Sequence, residues 1–151
     1  MNAALSITTL LAVVCLSWAA TPEYKAKVIT AVTTCAKEHN AELKDILEIM
    51  RQNKLPETKE QKCVVGCFFE KMEYVTDNKV DWEKVKALNP QKYDTPELVE
   101  KVNQVTDECA KVVTGKYSDI CELGTPAIKC LKEEAEKIQL PKPDVKFDLK
   151  H

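Results

Sequence analysis

Residues 62–72 read KCVVGCFFEKM, with Cys63 and Cys67 four positions apart among Val64, Val65, Phe68, Phe69 and Met72. The chain has three Phe in all, and two of them stand in this stretch. On a helix, Val64, Phe68, Met72 and Val75 recur at i, i+4, i+8 and i+11, with Val65 and Phe69 about 100° round from Val64 and Phe68. The two cysteines share one face of that helix with nearly parallel side-chain directions, so each should reach a different partner helix. Spacing alone fits a metal site, a redox motif, a helix stapled at two points or the wall of an apolar cavity. The rest of the chain decides among them.

At 151 residues the chain is long enough for one domain with removable ends. Gly is scarce at three and aromatics reach only 6%. Ala, Leu, Glu and Lys are abundant, which favours helices over sheet. Net charge is −2 with both signs interspersed. No basic stripe for nucleic acid and no polybasic segment for a membrane surface is present.

The first 22 residues carry no charged side chain. An apolar run, Leu10 to Leu16, leads to Ser17 and Ala19, placed like the small residues before a signal-peptidase cut. Residues 1–19 therefore read as a signal peptide cleaved after Ala19 or Ala20; the run is short and interrupted for a membrane span. Of seven cysteines, Cys15 leaves with the signal and six remain, an even set in a small exported domain. Three disulfides follow. A metal site lacks ligands, because no second close cysteine pair exists and the histidines are His39 and His151 alone.

Thr21-Pro22-Glu23 and Thr95-Pro96-Glu97 are helix starts, each a cap, a Pro at the first position and an early acid. The first opens a helix with Tyr24, Val28, Ala31, Val32 and Cys35 on one face. Leu43, Ile46, Leu47 and Met50 mark a second, ended by Asn53 to Pro56. The third spans about 58–75, followed by a turn at residues 77–79. A short fourth, capped by Asp81, runs through Trp82 and Val85. A fifth carries Leu98, Val102, Val105, Cys109 and Val112 and ends near Gly115. The sixth begins at Asp119 and runs toward Ile138, with a kink or break expected at Pro126. Residues 20–140 form the domain; 141–151 are an extended tail in which Val145, Phe147 and Leu149 share a face.

The six-cysteine frame is Cys35-x27-Cys63-x3-Cys67-x41-Cys109-x11-Cys121-x8-Cys130. With three residues inside KCVVGC and eight inside CELGTPAIKC, it resembles the insect odorant-binding proteins, also called pheromone and general odorant-binding proteins. The resemblance covers the whole mature chain. It implies an all-α domain of about six helices stapled by three interlocked disulfides around an apolar ligand cavity, paired Cys35–Cys67, Cys63–Cys121 and Cys109–Cys130. It implies a secreted carrier of small hydrophobic molecules, such as odorants, pheromones or plant volatiles, moving through aqueous lymph toward membrane receptors. The alternative is a non-sensory binder that sequesters hormone or other small ligands in haemolymph, saliva or reproductive fluid. Candidate ligand contacts on this reading are Phe68, Met72, Val75, Trp82, Val102, Tyr117, Leu131 and Phe147, with the tail as a lid. No cofactor, metal or nucleic acid is implied, and the expected state is a monomer or weak homodimer.

Inventory argues against an enzyme. After the signal, Ser118 is the only serine and no G-x-S-x-G occurs. Six bridged cysteines leave no free thiol nucleophile. Glu133-Glu134 and Asp107-Glu108 are adjacent pairs, which diverge along a helix rather than face one another.

Overall fold

The computed structural model describes residues 20–147, in which seven helices alternate with short connections and one small hairpin. Helix α1, Pro22–Glu38, starts where the sequence signals it: the Thr21 hydroxyl accepts the Tyr24 N–H, and Pro22 occupies the first turn. Helix α2, Leu43–Gln52, ends at Asn53 in a left-handed conformation, before the pre-proline residue can act. Helix α3, Lys59–Lys71, opens on a full capping box between Thr58 and Gln61.

Helix α3 is shorter than its periodicity suggests. It stops at Met72, Glu73 turns left-handed, and the chain enters a hairpin of β1, Val75–Thr76, and β2, Lys79–Val80. Val75 pairs with Val80 and Thr76 with Lys79, antiparallel. Asp77 and Asn78 both have positive φ, as a two-residue hairpin turn requires. Val75 is therefore a strand residue, and the helical spacing that grouped it with Phe68 does not apply.

Helices α4, Trp82–Ala87, and α5, Asn89–Lys92, form a short connection to α6, Pro96–Val112. Leu98, Val102, Val105 and Cys109 of α6 are buried as expected, but Val112 is 71% exposed and Val113 takes the inward place. Helix α7, Ile120–Lys137, is capped by Asp119 and continues without a break through Pro126. The donor lost at Pro126 faces the carbonyl of Glu122, an exposed residue open to water.

Helix α3 is the centre of the molecule, packing against α1 on one side and α7 on the other, while α7 also meets α6. The disulfides follow these contacts: Cys35–Cys67 joins α1 to α3, Cys63–Cys121 joins α3 to α7, and Cys109–Cys130 joins α6 to α7. The main apolar cluster lies among α1, α2, α3 and α7, and a smaller one gathers Tyr93, Leu98 and Val102. Among the described residues no helix is long and apolar enough to cross a membrane. The leader expected over residues 1–19, and Leu149 of the tail, lie outside the described residues.

Candidate functional site: an apolar cavity under the C-terminal tail

A cavity of about 790 Å³ opens between α1, α2, α3 and the tail. Helix α1 contributes Tyr24, Val28 and Val32, which share a face at helical spacing. Ile46 and Leu47 of α2 form the opposite wall, and Val64, Val65 and Phe68 of α3 form the floor. Ile128 of α7 adds one side, and Val145 and Phe147 close over from the tail. The disulfide Cys35–Cys67 ties α1 to α3 beside this space, holding two of its walls in register.

The tail is positioned by polar contacts at its start. The Tyr93 hydroxyl donates to the Pro141 carbonyl at 2.6 Å. The Lys142 ammonium donates to the carbonyls of Met50 and Arg51 at 3.4 and 3.1 Å, at the C-terminus of α2, where a cation meets the negative end of the helix dipole. These contacts direct Val145 and Phe147 onto the main apolar cluster, where both are half-buried.

Phe68 and Phe147 are the expected ligand contacts that the structure brings to the cavity. The other six lie elsewhere. Met72 is 0% exposed inside the main core, one helical turn beyond Phe68 and outside the cavity lining. Val75 is on β1. The Trp82 indole donates to the Val113 carbonyl at 2.9 Å, which fixes it to the start of the α6–α7 loop. Val102 belongs to the smaller cluster with Tyr93 and Leu98, and α6 contributes nothing to the cavity wall. Tyr117 packs against the main cluster, while its backbone N–H donates to the Asn78 carbonyl. Leu131 also joins the main cluster; Ile128 and Lys132, one helical turn apart, are the α7 residues that face the cavity.

Tyr24, Val28, Ile46 and Leu47 were legible as inward faces of α1 and α2. Periodicity reports which side chains point inward, not whether the space they point into is filled. The charged edge of the cavity had no signal, since Arg51, Lys54, Lys132, Lys142 and Lys146 are scattered through three segments.

The wall residue Tyr24 also belongs to a buried polar aromatic group with Tyr74. Burial pushes the Tyr24 phenol up to about 12. Burial, and then the neighbouring Tyr24, push Tyr74 up further. The Lys92 ammonium lies 5.4 Å from the Tyr74 ring centre and donates to the Asn89 side-chain oxygen at 2.8 Å. Burial lowers it to about 8. Lys92 keeps part of its surface in water, but its head is turned toward Asn89 and Tyr74, which are 0% and 4% exposed. Cys35, Glu38 and Cys67 have the proximity of metal ligands, but the two sulfurs are bonded to each other and are not thiolates.

Comparison with known proteins agrees with this architecture. The chain matches the PBP/GOBP family over residues 17–134. It is similar in fold to the odorant-binding protein dmelOBP28a from Drosophila melanogaster, at 23% identity and a TM-score of 0.67, covering 79% of this chain and 98% of that one. No curated protein sequence matches. The family match spans well over half the chain, and the chain belongs to the PBP/GOBP family. Its cavity-lining tail, from Lys142 to Phe147, lies beyond the matched residues.

Proposed function

We propose that this member of the PBP/GOBP family is a secreted carrier. It holds one small hydrophobic molecule in the α1–α2–α3 cavity and moves it through an aqueous extracellular fluid toward membrane receptors. In this reading residues 1–19 are a leader removed after Ala19 or Ala20, residues 20–140 form the binding domain, and residues 141–151 are a lid. The observation that carries the proposal is an apolar space of about 790 Å³ in so small a domain, within the size range of small-molecule sites.

The energetics suit a carrier. Burying about ten methylenes gives roughly 8 kcal/mol gross, and lost freedom on binding removes at least about 4 kcal/mol. The remainder corresponds to roughly millimolar affinity, so a polar anchor for the head group is what brings binding into the micromolar range. An unfilled interior forfeits packing contacts. The three disulfides offset that loss by roughly 2–4 kcal/mol each.

The test is titration of the oxidised protein with an environment-sensitive apolar fluorophore such as 1-aminoanthracene, repeated after disulfide reduction. Saturable micromolar binding that disappears on reduction is the expected result. Absence of binding to the oxidised, folded protein overturns the carrier reading.

A further inference from the structure

We infer that the cavity prefers amphiphilic anions, long-chain carboxylates foremost, over neutral molecules of the same chain length. The inference rests on the carrier reading and concerns only the cargo's head group. The charged side chains lining the cavity are Arg51, Lys54, Lys132, Lys142 and Lys146, with no Asp or Glu among them. Composition does not explain this, because acidic residues outnumber Lys and Arg in the whole chain by 24 to 22.

The walls are apolar, and the cations come from three parts of the chain: α2 and the segment after it, α7, and the tail. No ion pair among the described residues reaches Arg51, Lys54 or Lys132. Lys142 is occupied by the carbonyls of Met50 and Arg51, and so masks the negative end of α2 that would otherwise repel an anion. Two neighbouring carboxylates have partners of their own: Asn53 donates to Glu136 at 2.8 Å, and Asp144 stands 3.9 Å from Lys25 and 4.0 Å from Lys146. Asp45, Glu48 and Glu57 line an adjoining smaller cleft together with Lys54. An acyl chain against Val28, Val64 and Phe68 would place its carboxylate at the cavity mouth, among four exposed cations and the half-buried Lys132, where several like charges act together on one anion.

The sign of the effect makes it testable. A carboxylate is harder to take out of water than an alcohol of equal length, so without head-group recognition the alcohol binds better. The experiment is calorimetric titration of the oxidised protein at about pH 8, where the carboxylate is ionised, with dodecanoate, dodecan-1-ol and dodecyltrimethylammonium. Dodecanoate is expected to bind about tenfold tighter than dodecanol, with the trimethylammonium compound weakest. That advantage should shrink several-fold as salt rises from about 0.02 to about 0.5 M. In the Arg51→Gln/Lys132→Gln double variant the ratio of the two affinities should collapse toward unity. If that variant does not fold, the single Lys54→Gln change, at an exposed position, should lower the ratio in the same direction. Dodecanol equalling or exceeding dodecanoate at low salt overturns the head-group inference and leaves the carrier reading standing. Failure of all three to bind overturns both.

Discussion

The rings of Phe68 and Phe69 meet edge to face, with centres 6.2 Å apart and planes at 75°, yet only Phe68 lines the cavity. One helical step separates a cargo surface from a core anchor. Phe69 is 2% exposed and its ring centre lies 5.7 Å from that of Tyr74. Replacing Phe69 with Ala is expected to remove about 3–5 kcal/mol of stability. Phe68→Ala, at a half-buried position, should lose less stability but weaken apolar-probe binding about tenfold, consistent with the burial of one aromatic side chain. Urea unfolding together with probe titration separates the two effects; the opposite assignment would put the site on the wrong side of α3.

Gly66 and Gly124 set how closely α3 and α7 approach. A Cβ on Gly66 would stand 2.0 Å from the Ile120 carbonyl oxygen, and one on Gly124 would stand 2.8 Å from the Gly66 nitrogen. In an isolated helix Gly→Ala gains about 1 kcal/mol. Here the added methyl meets backbone, and both Gly66→Ala and Gly124→Ala are expected to destabilise by about 1–3 kcal/mol. A stabilised variant would show that the two helices do not approach this closely.

Truncation after Pro141 keeps the Tyr93–Pro141 hydrogen bond but removes the Lys142 contacts, Val145 and Phe147. The domain should still fold, since the disulfides and most of the main core precede the cut. Probe dissociation, measured by stopped-flow displacement, should accelerate about tenfold or more, because burial of a Phe and a Val contributes about 1.5–3 kcal/mol each at most. An unchanged dissociation rate would mean that the tail does not act as a lid.

Lys92 predicts an unusual alkaline response. Its folded pKa, about 8, lies below the ordinary lysine value near 10.4. The unfolded chain therefore binds more protons between those limits, and stability rises with pH across that window. The burial penalty is fully present below about pH 8 and fades above it, with a gain of about 1–2 kcal/mol by pH 10. Beyond about pH 10 the gain should reverse, because burial holds Tyr24, Tyr74 and Tyr93 in their neutral forms when folded while free tyrosines ionise. Denaturant midpoints from pH 7 to 11 should show this rise and fall, and Lys92→Met should flatten the rise.

The helices were legible wherever a cap, a proline and an apolar stripe coincide, as at Thr21-Pro22 and Thr95-Pro96. The cysteine frame led to the fold through its family resemblance, since spacing alone chose no pairing. The end of α3 was missed because Met72 and Val75 continue the helical stripe of Val64 and Phe68, while the Asp77-Asn78 hairpin turn overrides it. The cavity was the least legible feature. Phe68 and Met72 look equivalent on a helical wheel, and which one faces empty space depends on where α1, α2 and the tail lie around them. The cationic edge depends on the same tertiary placement.

The most direct measurement is a methyl-resolved NMR titration of the oxidised protein with dodecan-1-ol, following Val28, Ile46, Val64 and Val145 against Val85 and Val102. Saturable shifts are expected at the first four residues, which line the cavity, with Val85 and Val102 changed little. Shifts centred on Val102 and the Tyr93–Leu98 cluster, or no saturable shift at any methyl, would contradict this location of the site.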